Sequence, residues 1–350
     1  MALLFMDSFD HYATADLADK WTSLSAVSGS NTIGAFGRRG SGGYRCVQSA
    51  FTGGASGCYV QKGLAPTGAG FVVGVACKPS AAPGSAAVTF LTIQEGATVQ
   101  VALRLNQDLT LSALRGGTAV ATSASPLSTA TMSYVEFRGL IDPSVGTLDV
   151  RVNGVGVLTF SGNTRQTANS AWTALALGCN PAGIVGGALT LDFDDLYVCD
   201  RSGSAPWNDF LGDCRVDARL PTAAGATTGW TPLAGANWDA VNDAAPDDDT
   251  TYTSTSTLNA TDTFVTQDAP VVGATIFGVQ QCLNLKKMDA GTCTVAPVIR
   301  HSGIDYPGAA IAPGTTYAYG LAVAATNPGT GAAWTEADFN AAEFGYKRTA

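Results

Sequence analysis

A chain of 350 residues with 41 glycines and only 13% charged residues has room for two cores and is built of turns and short segments rather than long helices. Its net charge of −9 and pI near 4.6 argue against a nucleic-acid groove, and adjacent basic residues such as Arg38-Arg39 and Lys286-Lys287 are too sparse to track a phosphate backbone. No apolar run approaches the roughly 20 residues of a membrane helix, and Met1–Met6 lacks a basic start and is cut short by Asp7, so the chain is expected to be made and kept in the cytoplasm.

A helical turn is expected at Asp16–Trp21, and period-2 alternation then dominates. Val99, Val101, Leu103 and Leu105 alternate with Gln100, Ala102 and Arg104, which describes a half-buried strand. Leu109, Leu111 and Ala113 follow the turn at Asn106-Gln107-Asp108, and Gly116-Gly117 opens the next turn. Val135, Phe137, Gly139 and Ile141 alternate with Tyr134, Glu136 and Arg138. Leu148, Val150 and Val152 run into Asn153-Gly154 and continue as Val155 and Val157; Asn-Gly between alternating runs signals a tight hairpin. Leu189, Leu191 and Phe193 are odd-numbered, whereas Leu196 and Val198 are even. That phase shift predicts a β-bulge at Asp194-Asp195, with the carboxylates facing outward near the sheet's end. These strands suffice for an antiparallel two-sheet jelly roll over residues 1–201, followed by a linker at 202–207 where Gly203 and Pro206 break the pattern.

Residues 208–350 are expected to form a second β-rich domain with one short helix. A hairpin is expected there, 277–285 turning at Asp289-Ala290-Gly291 into 292–300. The helix is expected at Glu336–Ala342, with Thr335 as N-cap and Gly345 as its end.

Candidate chemistry is thin. A glycoside hydrolase needs two carboxyl groups flanking the bond; the four glutamates (Glu95, Glu136, Glu336, Glu343) form no such strand pair, and Glu336-Ala-Asp338 opens a helix. A Ser/His/Asp triad would have to use His11 or His301, and no Gly-x-Ser-x-Gly elbow accompanies either. No enzymatic activity is therefore expected, and no catalytic residue or cofactor. Asp247-Asp248-Asp249 and Asp192/Asp194/Asp195 lack the spacing of a calcium loop, so no metal site is assigned. Trp207, Trp230, Trp238 and Tyr252 are candidates for a glycan platform, or equally for a core or subunit contact.

Eight cysteines contain no CxxC pair. Two readings stay open: buried reduced thiols, or disulfides formed in an oxidising medium. In 279–286 the apolar residues Val279, Leu283 and Leu285 put Cys282 on the opposite face. The expected hairpin sets Cys282 near Val298 rather than Cys293, so either thiol is a candidate for bonding another chain or a distant segment. Cys199 and Cys214 flank the linker and are candidates for tying the domains together or reaching a neighbour.

Tyr134-Val-Glu-Phe-Arg-Gly-Leu-Ile-Asp142 through Gly146-Thr-Leu-Asp-Val-Arg-Val-Asn-Gly154 resembles the central strands of laminin-G/concanavalin-type jelly rolls. The junction Leu189–Asp217 resembles two-domain structural proteins of tailed bacteriophages and prophages. So do Asn208–Asp213, Trp230-Thr-Pro232, Asn237-Trp238, Asp247–Tyr252 and Trp334 to Gly345. The resemblance implies a virion component (collar, capsid decoration or tail appendage) contacting other virion proteins as a homo-oligomer or in lattice-bound copies. A lectin-like adhesin binding host glycans is the alternative.

Overall fold

The computed structural model describes residues 3–27, 29–49, 57–84, 86–179 and 188–350, and the chain divides into two compact units, Met1–Val216 and Asp217–Ala350. The first unit carries strands β1 (Leu3–Asp7), β2 (Ser23–Ala26), β3 (Gly29–Gly34), β4 (Gly43–Gln48), β5 (Cys58–Gly63), β6 (Gly70–Pro79), β7 (Val88–Glu95), β8 (Thr98–Leu105), β9 (Leu111–Arg115), β10 (Thr118–Thr122), β11 (Ser133–Leu140), β12 (Gly146–Val152), β13 (Val155–Gly162), β14 (Ala174–Cys179) and β15 (Leu189–Cys199), with one helical turn, α1 (Leu17–Lys20). They pair antiparallel in two sheets, ordered β13-β12-β11-β6-β15-β4-β3, with β1 also on β15, and β10-β9-β8-β7-β14-β5-β2. This is the all-β, jelly-roll-type sandwich that the alternation predicts. Asn153 (φ 50°) and Gly154 (φ 78°) make the tight turn between β12 and β13, with the left-handed backbone that a type I′ hairpin requires.

Between the sheets runs a column of aromatic rings: Trp21 on Phe9, Phe9 on Tyr44, Tyr44 on Phe193, and Phe193 near Phe90. Phe71 meets Phe137 edge-on at 4.9 Å and packs on Trp172. At the column's Trp21 end the core admits a buried ion pair, Lys20 Nζ to Asp7 Oδ1 at 2.9 Å. Lys20 Nζ also lies 2.7 Å from His11 Nε2; an ammonium has only donors, so Nε2 accepts and the ring proton sits on Nδ1. Asp7 further accepts from the Tyr12 hydroxyl and the Phe9 amide, whose residue stands at φ 57°. The Asp7 hydrogen bond thus helps hold a bulky residue in a conformation such residues seldom adopt.

The second unit carries β16 (Pro221–Thr228), β17 (Thr231–Pro232), β18 (Thr253–Ser254), β19 (Thr261–Thr266), β20 (Val279–Leu285), β21 (Val295–His301), β22 (Ile304–Pro307), β23 (Ala318–Ala324), α2 (Glu336–Ala341) and β24 (Glu343–Arg348). Its main sheet runs β16-β19-β24-β21-β22, beside the pairs β17-β18 and β20-β23. The expected hairpin of 277–285 with 292–300 does not form: β20 pairs with β23, and β21 lies between β24 and β22. The reason is burial. Val295–Ile299 is buried on both faces and takes a central position, whereas β20 is only half-buried. Thr335 caps α2 by accepting from the Asp338 amide, as its sequence predicts. Gly345 does not end the helix. It lies inside β24, where a Cβ would stand 1.9 Å from the Asp262 carbonyl oxygen.

Burial, and then the neighbouring Lys20 charge, push His11 down to about 3. A base depressed in the native state leaves the unfolded chain binding more protons below pH 6.5, so its contribution to stability is lost as pH falls towards 3. His11→Gln, which keeps an acceptor for Lys20, should remove about 1.4 kcal/mol of destabilisation per pH unit in that window. Hydrogen exchange of β1 and β15 amides at pH 4 and pH 7 measures it; equal pH dependence in both proteins would refute the assignment.

Candidate functional site on the covered outer face of the sandwich

The side chains of β6, β11 and β15 alternate between the core and the opposite, outer face of their sheet. Val135 and Phe137 pair with Val75 and Val73 and point inward, so Tyr134, Glu136 and Arg138 point out. In β15 the register shifts between Asp194 and Tyr197, with Asp195 at φ 53°. The predicted bulge is present: Asp194 faces out before it, and the shift then turns Tyr197 and Cys199 to the outer face and Leu196 and Val198 inward. One row then crosses four strands: Arg151, Glu136, Gly74 and Tyr197. Gly74 leaves the space over β6 empty, and the Tyr197 ring lies across it to donate to Glu136 Oε1 at 2.7 Å.

The outer face is not open. The segment 207–216, expected to begin the second domain, lies across it and belongs to the first unit. Its backbone supplies the donors: Leu211 N to the Tyr197 hydroxyl at 3.1 Å, Gly212 N to Glu136 Oε1 at 2.8 Å and Val216 N to Asp195 Oδ1 at 2.7 Å. Arg38 donates to Asp213 Oδ1 and to the Cys214 carbonyl, each at 2.5 Å, and pairs with Asp195 at 2.6 Å. Arg138 pairs with Asp209, and the Phe210 ring lies beneath both the Arg138 and Arg151 guanidiniums. These contacts move the unit boundary to Val216, beyond the 202–207 linker expected from Gly203 and Pro206.

The bulge carboxylates do face outward, but they are buried rather than solvated, because Arg38 and the segment cover them. Asp194 accepts from Arg38 N at 2.6 Å and Ser41 Oγ at 3.1 Å. Burial, and then the adjacent Asp195 charge, raise it to about 7. Asp192 is held by Arg45 and Lys78. Glu136 is fully buried, and its Oε2 has no hydrogen-bond partner among the described residues. An unsatisfied buried carboxylate oxygen costs at least about 1–3 kcal/mol.

Other sequence candidates lie elsewhere. Trp230 meets Tyr346 edge-on at 4.8 Å and donates to the Ala260 carbonyl, and Trp238 packs on the same cluster of Phe264, Val295 and Tyr346. Tyr252 is half-buried and its carbonyl accepts from Leu233, while Trp207 is half-buried in the covering segment. Trp230 and Trp238 thus staple a core. All eight cysteines are free thiols; Cys46, Cys58, Cys77, Cys179 and Cys199 are buried, and Cys214, Cys282 and Cys293 partly so. Cys199 faces the outer side opposite Val72, and Cys282 stands opposite Leu321, not across a hairpin from 298. Cys293 packs against the Val295 cluster. Asp247 caps the Thr251 turn, and Asp249 pairs with Lys286 and Tyr317.

No protein-family model matches the chain, and no curated protein does. Among solved structures it is similar to an endo-β-1,4-glucuronan lyase from Trichoderma reesei, at 9% identity and a TM-score of 0.39, covering 51% of this chain and 90% of that one. It is similar to the alginate lyase Aly36B at 13% identity and 0.39, covering 54% and 91%. It is also similar to the botulinum neurotoxin serotype C1 binding domain at 7% and 0.38, covering 68% and 57%. No phage structural protein is among these three. Lyases among the similar structures run against the expectation that the chain is no enzyme, and that expectation is withdrawn.

A Cβ at Gly74 would stand 2.1 Å from Tyr197 Cε1. Gly74→Ala should therefore displace the ring, cost about 1–3 kcal/mol and speed amide exchange at Leu211 and Gly212. Tyr197→Phe, which loses only the hydroxyl, should cost about 1 kcal/mol. Unchanged exchange at both amides in Gly74→Ala would refute the role given to the row.

Proposed function

We propose that this chain is a subunit of a tailed-phage particle that works through contacts with neighbouring protein copies, its second unit being the main contact surface. The observation carrying this is the apolar surface of that unit. Val272 is 88% exposed, Met288 83%, Leu258 and Ile304 57% each, and Leu233 53%, on a body of 134 residues whose buried clusters are small. Association that covers such side chains removes their apolar area from water, which is a favourable contribution to contact. The particle itself is supported by the sequence resemblance at Asn208–Asp213, Trp230-Thr-Pro232 and Trp334 to Gly345.

The purified chain should form a defined oligomer or bind purified particles, and Val272→Asp with Met288→Asp should weaken that association at least about tenfold. Light scattering over a concentration series and particle co-sedimentation measure it. A monomer at every concentration that binds no particle would overturn the reading. Selective, saturable binding on a glycan array would favour the adhesin instead.

A further inference from the structure

The geometry points to an amide bond between the side chains of Lys20 and Asp7, formed by the folded chain itself. The reaction is a condensation of an amine with a carboxyl group, and His11 and Tyr12 are its catalytic residues. It is independent of how the chain assembles. The bond closes residues 7–20 into a ring and gives β1 a covalent anchor besides its pairing with β15; a closed ring restricts the unfolded chain and so favours the folded one.

Both reactants are sealed from water. The Lys20 and Asp7 side chains are each 0% exposed, and Nζ stands 2.9 Å from Oδ1. The carboxyl carbon is one bond beyond that oxygen, so nitrogen and carbon are held close to the roughly 3–3.5 Å of a near-attack arrangement. The walls are rings: Nζ lies 4.7 Å from the centre of Tyr12 and 5.9 Å from that of Phe5. Ring faces attract a cation but replace only part of the hydration that a buried ammonium loses. Lys62, a second cation, lies over the same Phe5 ring and adds to the cost of that charge. Condensation removes both charges and leaves a neutral amide in their place.

The groups in contact with the pair are those the step needs. His11 Nε2, an acceptor 2.7 Å from Nζ, takes one proton from the ammonium. Nζ then attacks Asp7 Cγ, and the C–N bond forms. The Tyr12 hydroxyl donates to Oδ2 at 2.9 Å and is itself fixed by the Trp21 indole N–H at 3.2 Å. It therefore holds the oxygen that gathers negative charge and stays as the amide carbonyl. Oδ1 is the leaving oxygen, kept in place by the Phe9 amide. It receives one proton directly from Nζ and the second from the His11 imidazolium, and the C–O bond breaks as water departs. Burial makes that imidazolium a ready proton donor. Of the three ammonium hydrogens, one stays on the amide nitrogen and two leave in water, so no oxidant or outside reagent takes part.

The test is the intact mass of the purified full-length chain, measured in denaturant. It should be lighter than its sequence by one water. Trypsin should fail to cut after Lys20 and leave the residues up to Arg38 as one peptide, whose fragment ions join Asp7 to Lys20. Lys20→Met should have the full sequence mass. His11→Gln keeps an acceptor for Nζ but cannot carry a proton, so it should form the bond at least about a hundredfold more slowly, and freshly purified variant should be mostly at full mass. A folded parent chain at full sequence mass, cut by trypsin after Lys20, overturns the proposal, whether or not the Lys20 variant folds. A loss of water that the fragment ions place elsewhere, as in a backbone succinimide, overturns it as well. Equal cross-linking in His11→Gln and the parent would refute the part given to His11.

Discussion

Two carboxylates sit side by side in the middle of the sandwich's central strand, and burying them is expensive unless cations and amides meet them. Asp194 and Asp195 are met by Arg38, which gives its backbone amide to the first and its guanidinium to the second. Because the bulge occurs at this pair, every later residue of β15 changes face: Tyr197 goes out over Gly74, and Val198 goes in against Val73. The Arg38 guanidinium then has donors to spare, and these reach Asp213 and the Cys214 carbonyl. So the covering segment is a consequence of the bulge. Without the shift, Tyr197 would point into the core, and neither Leu211 nor Gly212 would find its present acceptors.

The same logic operates at the other end of β15, where β1 pairs with it. Asp7 closes β1 with a buried charge, and Lys20 in α1 neutralises it. A buried pair of this kind adds little net stability against an apolar replacement, but breaking one partner is costly. Its value here is positional: it fixes α1, Tyr12 and the Phe9 turn against the aromatic column.

The strands of the first unit were legible because one face of each is buried, so alternation reports burial directly: Tyr134/Glu136/Arg138 against Val135/Phe137, and the Asn153-Gly154 turn. The bulge was legible from a change of phase between Phe193 and Leu196. The covering segment was not. Asn208–Asp213 has the polar and turn-forming composition of a domain entry, and its partners Arg38, Glu136 and Arg138 lie far away in sequence, where no local pattern ties them to it. The pairing of β20 also escaped, since short-range turn signals at 289–291 favoured the nearest strand. The continuous apolar run Val295–Ile299, which demands a central position, was the better guide.

The two units satisfy the hydrophobic effect in different ways. The first has two full sheets, and long side chains such as Trp21, Trp172, Phe193 and Tyr197 are almost wholly removed from water. The second divides its interior between small clusters around Trp334 and Tyr346, and spends its tryptophans on holding them. A body of that kind gains less per residue from folding, because its surface is large for its volume. Its exposed Val272, Met288 and Ile304 are apolar area that this folding leaves in water. The first unit also holds a charged and hydrogen-bonded outer face, where Arg38 and Glu136 meet the segment 207–216 of the same chain. The second contributes apolar area with little directional demand.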